Sequence, residues 1–400
     1  MNVRWCKQVF CALGLVAIAG VAGAQVAKPL RIGLIGPFTG PSSDFGLPMR
    51  NGAMLAIDEI NAAGGFMGRM LELVVKDDTA TPEVGLQRSQ ELMQEQVAAT
   101  IGFCNTGVAM QSLEVFQAAK SPLIVPCATG SPITTKYPAP ESYIFRTSAR
   151  DGIQAPFVVE DIVARGWTKV AIFADKTGYG EAGMQDVVKA LASKDLKPVF
   201  IARFDLGVKD LKSEVRAAQE AGANVIFSYT VGPEAAVVAK GRQALGWKVP
   251  QVGAWPLSFP LFIDGAKEAA EGALMAQTFV AEPSNERRRS FLSAYARKYK
   301  TRKITVPMAA AQAYDTVYLL SYAILSIRNG DLSGPSIKAA LENFPRVYYG
   351  VTATHEHPFS REDKDAMTSN MLVMGMVKNG AVTFAYAEDK TRNLFVQRKK

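Results

Sequence analysis

Histidine and cysteine are scarce in this sequence, with two His and four Cys in 400 residues. His355 and His357 stand two apart in a polar stretch, and no cysteine or acidic cluster is visibly committed to join them. That argues against a metal centre. A G-x-S-x-G nucleophile elbow is lacking. So is G-x-G-x-x-G: the glycine-rich run from Gly33 to Gly40 has other spacing and is interrupted by Pro37 and followed by Pro41. No catalytic residue, metal or cofactor is expected from these absences. Beyond the first 24 residues no unbroken apolar run reaches the ~20 residues of a membrane-spanning helix. Charge of one sign is not concentrated either, with 45 Lys and Arg against 37 Asp and Glu. The one dense basic cluster is Arg287 to Arg289 with Arg297, Lys298, Lys300, Arg302 and Lys303. It shares an apparent helix with Phe291, Leu292 and Tyr295 and reads as a solvated helical face. Lacking an aromatic or glycine-rich motif, it does not point to nucleic acid.

The amino end has a pattern of its own. Arg4 and Lys7 precede an apolar run from Val9 to Val21, and Ala22-Gly23-Ala24 closes it. A basic start, a short apolar run and small residues at the end read as a secretory signal peptide. Cleavage is expected before Gln25, with delivery to the periplasm, and residues 1–24 are set aside. Cys6 and Cys11 leave with that segment, and Cys11 lacks a lipoprotein context. Cys104 and Cys127 remain in an oxidising compartment. They form one local bridge if the strands before them are neighbours, or stay as buried free thiols.

Short apolar runs then alternate with helix-length stretches. Leu30–Ile35, Leu71–Val75, Ala98–Phe103 and Leu123–Val125 read as buried strands, separated by helices over 47–61, 82–96 and 108–120. A second series has strands near 169–174, 198–204, 224–228 and 249–253, with helices over 153–165, 181–193, 209–221 and 233–245. This alternation predicts an α/β chain of two doubly wound, Rossmann-like lobes. A third section carries a run over 274–280, helices over 286–299, 308–328 and 336–343, and strands over 371–377 and 381–387. Lys378-Asn379-Gly380 supplies a hairpin turn between the last two.

Ligands of open parallel sheets sit beyond the carboxyl ends of the strands. Two such ends stand out: Cys104-Asn105-Thr106-Gly107 and Cys127-Ala128-Thr129-Gly130-Ser131-Pro132. Both place backbone N–H groups at a helix start beside hydroxyl or amide side chains, an arrangement suited to a carboxylate. Ordinary capping by Asn and Thr explains the same residues equally well.

With these residues the chain resembles the type I periplasmic binding proteins of branched-chain amino acid and related importers. The resemblance rests on Ile35-Gly36-Pro37-Phe38-Thr39-Gly40-Pro41, on Gly52-Ala53 with Ala56 to Asn61, and on Gly64-Gly65 leading to Gly68. Further markers are Asp77-Asp78, Ile101-Gly102, Phe145-Arg146-Thr147 with Asp151 and Gln154, Tyr179-Gly180, Glu271-Gly272 and Tyr314-Asp315. It implies two lobes joined by a three-segment hinge near Thr147, Thr278 and Tyr349. Lobe 1 would hold 25–147 plus 279–349, and lobe 2 would hold 148–278 plus 350–400. It implies a monomer that binds a small molecule and hands it to an ABC permease. The ligand carboxylate would be held at Asn105, Thr106, Cys127, Ala128 and Thr129, under Phe45, Tyr179, Tyr229 and Trp255. One departure matters: Trp255 stands where amino acid binders of this family hold the ammonium with a Glu, and Val231 stands where a pocket Tyr is expected. A buried ammonium without a carboxylate is costly, whereas Trp offers an apolar face. An aromatic or other non-amino carboxylate is therefore the favoured ligand. Branched-chain amino acids are the alternative, with Glu234 as a substitute acid. A sensory module and an exported α/β enzyme are the rival functions.

Overall fold

Strands buried on both faces need near-continuous apolar runs, and Leu30–Gly36 (β1), in which all but Arg31 are buried, is one of them. In the computed structural model, which describes residues 28–301, 303–392 and 399, β1 lies inside a five-stranded parallel sheet. The other strands are Leu71–Asp77 (β2), Thr100–Gly102 (β3), Leu123–Val125 (β4) and Ile144–Arg146 (β5), ordered β2-β1-β3-β4-β5. The expected signal peptide lies outside the described residues. Among those residues, no helix is long and apolar enough to cross a membrane.

A second sheet takes Val170–Asp175 (β6), Phe200–Phe204 (β7), Val225–Tyr229 (β8), Gln251–Gly253 (β9) and Leu274–Gln277 (β10), all parallel. A short ladder of Tyr348–Tyr349 (β11) and Thr354–His355 (β12) follows. Val373–Lys378 (β13) and Ala381–Phe384 (β14) then extend the second sheet antiparallel, giving β14-β13-β10-β9-β8-β6-β7. Lys378 pairs with Ala381, so Asn379 and Gly380 form the hairpin tip, both with positive φ (53° and 69°). That is the two-residue turn that Asn-Gly favours.

Helices cover both sheets. Pro307–Leu325 lies along Ser43–Ala62 in the first lobe. Beneath the first sheet's strand ends, Leu113 and Phe116 of the helix Thr106–Ala118 pack with Leu123 and Val125, all fully buried. Each such side chain stabilises the fold by about 1.5–3 kcal/mol, which holds the loops above them in place.

The chain passes between the lobes after Arg146, after Gln277 and again before Val373, and one turn of the helix Pro307–Leu325 touches all three passages. Thr316 Oγ1 lies 2.6 Å from Thr147 Oγ1 in the first, and Gln312 accepts from Thr278 Oγ1 (2.8 Å) in the second. Asp315 accepts from Val351 N and Thr352 N (both 2.8 Å) in the third. Spacing of three and four residues puts Gln312, Asp315 and Thr316 on one helix face.

Two side chains depart from their expected settings. Arg288 leaves the solvated basic face and turns inward, donating to Val351 O (3.2 Å) below the ring of Phe279. His355 is buried in β12 and stacks on Tyr348 (6.0 Å) instead of standing in a polar loop. Among the described residues no cluster of metal-ligating side chains forms.

Candidate functional site

Phe103 follows β3 with a positive φ (70°), and Asn105 takes the N-cap position of the helix Thr106–Ala118 without a side-chain capping hydrogen bond. The first N–H groups of that helix have no intrahelical acceptor. The loop after β4 is tied to it, since Gly130 N donates to Thr106 Oγ1 (3.2 Å) and Ala128 N donates to Phe103 O (3.0 Å). Asn105 Nδ2 donates to Ser42 Oγ (3.1 Å), while its Oδ1 is buried without a protein partner. Thr129 Oγ1 is in the same condition. The glycine-rich turn before them is not free to cradle phosphate. Phe38 N donates to Asp77 Oδ1 (2.9 Å), and Thr39 Oγ1 donates to Asp77 Oδ2 (2.6 Å).

From the second lobe come Tyr229, at the end of β8, and Tyr179, in the first turn of the helix Gly178–Ala192. Their ring centroids are 4.9 Å apart, and both hydroxyls are buried without a protein partner. Asp151 opens the helix Asp151–Ala164 beside them. Its N–H donates to Thr129 O (2.8 Å), and Gln154 Nε2 approaches Oδ1 (3.5 Å). Burial pushes the Asp151 carboxyl up to about 7. The hydroxyls of Tyr229 and Thr129 are near enough to pull it partly back, yet neither closes a hydrogen bond of good geometry, and Oδ2 stays unpartnered. Five buried polar atoms from both lobes thus gather around one small region.

An apolar wall completes the group. Phe259 lies 5.1 Å from Phe45 of the opposite lobe and 5.1 Å from Trp255, edge to face with the latter. Gln154 Oε1 accepts from Trp255 N (3.2 Å) and so fixes the indole's backbone next to the Asp151 helix.

The lobes meet around these residues. Ser131 Oγ donates to Asp186 Oδ2 (2.6 Å). A Cβ on Gly178 would stand 3.3 Å from Gly107 Cα, so the two helix starts touch through glycines. Behind them Arg146, fully buried, donates to Thr129 O (3.0 Å), Gly130 O (2.7 Å) and Asp365 Oδ1 (2.6 Å). Burial alone would raise the Asp365 carboxyl, but the charge and hydrogen bond of Arg146 overrule it, and its pKa is lowered. Gln312 also donates to Pro126 O (2.6 Å), just before the second loop.

The structure therefore groups Asn105, Thr106, Thr129, Tyr179 and Tyr229 around one region, and joins Phe45 to Trp255 through Phe259. Ala128 contributes its backbone. The Cys127 side chain is buried in the core beside the Cys104 thiol, which itself touches Met49 Sδ and the Phe45 carbonyl. Both thiols are free although β3 and β4 are neighbours. Glu234 is committed elsewhere, accepting from Gly207 N (2.6 Å) and Thr230 Oγ1 (3.3 Å). Asp151, Arg146 and Phe259 were not singled out as site residues by sequence reasoning. The first two stood among the family markers, and Phe259 carries no signal in its run.

The sequence from 29 to 381 matches the model of a family described as periplasmic binding protein. The leucine-, isoleucine-, valine-, threonine- and alanine-binding protein of Pseudomonas aeruginosa is 27% identical over 275 residues, 68% of this chain and 73% of that one. Among solved structures, a type 1 periplasmic binding protein from Bordetella pertussis superposes with TM-score 0.80 at 22% identity, covering 89% of this chain and 99% of that one. An ABC transporter solute-binding protein from R. palustris, in complex with benzoate, superposes with TM-score 0.75 at 20% identity, covering 89% and 95%.

Proposed function

The chain belongs to the periplasmic binding protein family, and from that premise we propose that it captures a small carboxylate between its lobes for an ABC permease. Members of the family are periplasmic solute-binding components and not enzymes, and no chemical step is proposed. The observation that carries the reading is the convergence of five unpartnered buried polar atoms, Asn105 Oδ1, Thr129 Oγ1, Asp151 Oδ2 and the Tyr179 and Tyr229 hydroxyls. Burying such groups without a partner costs about 1–3 kcal/mol each, which a ligand seated among them offsets. The carboxylate is assigned to the helix start at Thr106 and to Thr129, and the ligand's apolar body to Phe45, Phe259 and Trp255. This aromatic wall favours an aromatic acid, and the relative bound to benzoate is consistent with that class. The protein acts as a periplasmic monomer in this reading.

Asp151 supports a second reading, an amino acid whose ammonium pairs with its carboxylate. The pH dependence of binding separates the two. A plain carboxylate favours protonated Asp151, so benzoate affinity should weaken as pH rises through about 7. An ammonium favours the ionised form, so leucine affinity should weaken as pH falls through about 7. Calorimetric titration of benzoate and leucine at pH 6 and 8, on protein unfolded and refolded to strip bound ligand, distinguishes them. If neither compound binds nor raises the melting temperature, this ligand reading fails.

A further inference from the structure

The two cysteines are not used by the site as described, yet they lie directly beneath it. Cys104 immediately precedes Asn105 and Thr106, and Cys127 precedes Ala128 and Thr129. They follow neighbouring parallel strands, with β3 and β4 paired through Thr100 opposite Leu123 and Ile101 opposite Ile124. The pairing continues past the strand ends, since Phe103, just before Cys104, accepts from the N–H of Ala128, just after Cys127. Both side chains point into the same core face, where the Cys104 thiol contacts Met49 Sδ (3.5 Å) and the carbonyl of Phe45. Burial pushes the Cys104 thiol well above its ordinary value, and the neighbouring Cys127 thiol adds to the shift. The two sulfurs are therefore close in space, reduced, and joined by backbone to the residues proposed to hold the ligand carboxylate.

We propose that Cys104 and Cys127 are a reversible oxidation site whose disulfide staples the two anchor loops and weakens ligand binding. Neighbouring positions on paired strands fall within the Cα separation of about 4.4–6.8 Å that a disulfide requires. The oxidant is a small-molecule or protein disulfide, of the kind that an extracytoplasmic compartment supplies. Local opening of the loop exposes Cys104, the less buried of the two, and lets it ionise; its thiolate then attacks the oxidant, and one reagent thiol leaves. Cys127 then displaces the second reagent thiol from the mixed disulfide. One S–S bond forms and one breaks, two protein thiols are oxidised, and their protons leave with two reduced reagent thiols. Forming the bond draws Cys104 off Met49 and Phe45. Asn105 and Thr106 follow, changing the spacing to Thr129 that a carboxylate needs. This consequence rests on the anchor reading above, whereas the bond itself does not.

The test treats the folded protein with glutathione disulfide, quenches with acid, denatures, alkylates with iodoacetamide and maps peptides. A cross-linked Cys104–Cys127 peptide that dithiothreitol reverses is the expected result. Alkylation of both cysteines, or a lasting glutathione adduct on either, would overturn the site. Cys127→Ser should instead trap glutathione on Cys104, and an adduct-free variant would show that Cys104 is out of reach. Benzoate and leucine are then titrated into reduced and oxidised protein. Whichever binds the reduced form should bind the oxidised form about tenfold more weakly, and equal affinity would refute the stapling effect. If neither probe binds the reduced protein, the ligand reading is at fault, and the peptide map still decides the disulfide.

Discussion

Asp151 carries two demands at once, as a buried acid and as the partner of whatever lies beside Thr129 and the two tyrosines. Its folded pKa, raised to about 7, lies above the unfolded value, so the folded state keeps its proton longer. Its contribution to stability is complete below about pH 4 and is lost as pH rises through about 7. Asp151→Asn should therefore melt at a temperature increasingly above that of the unliganded parent as pH climbs from 4 to 7. Thermal melts across that range check this, and identical curves would remove Asp151 from the buried cluster. Arg146 poses a different demand. Arg146→Met takes from Asp365 its buried ion-pair partner, leaving it Thr134 and the more distant Arg150. It also removes one of the donors on each of Thr129 O and Gly130 O, and the change is expected to cost roughly 3–5 kcal/mol. Urea denaturation measures it, and a loss below about 1 kcal/mol would mean that the pair behaves like a surface bridge.

At the scale of elements, the strands and most helices were legible because burial on two faces leaves apolar runs and burial on one face leaves a helical period. The helix Glu286–Tyr299 falls at the predicted bounds. The helix expected from Glu181 begins at Gly178, because Thr177 Oγ1 caps it by accepting from Tyr179 N (3.2 Å) while the glycines read as a turn. The β11–β12 ladder and the helix Pro260–Ala266, which positions Phe259, were not legible. They are short, and tertiary packing fixes them more than any period. At the candidate site the two strand ends could be picked out from sequence, whereas the settings of Asp151 and Arg146 depend on which buried atoms lack or share partners. The turn that touches all three lobe passages makes a prediction here. Gln312→Leu frees Thr278 Oγ1 and Pro126 O together, and should weaken ligand binding about tenfold with a smaller effect on the melting temperature. Calorimetry beside thermal melts separates the two effects, and an unchanged affinity would confine Gln312 to a structural role.

For the whole molecule, closure is the property to measure. Small-angle scattering should show a smaller radius of gyration when a binding carboxylate is added. Gly178→Val, which puts a branched side chain against Gly107, should abolish that contraction while leaving the fold intact. A contraction of normal size in the variant would mean that the glycine contact does not govern closure. The same contact has an electrostatic side. The helices Thr106–Ala118 and Gly178–Ala192 meet head to head, amino end to amino end. Each end carries about half a positive charge, and two such ends a few ångströms apart repel by on the order of 1 kcal/mol at a protein-like dielectric. Without a ligand the lobes are thus pressed apart by their own backbones, and an anion between them turns that repulsion into attraction toward a common centre. On the proposed carboxylate reading the ligand's negative charge would work as the latch, so a neutral analogue of the same shape would enter the cleft and fail to shut it.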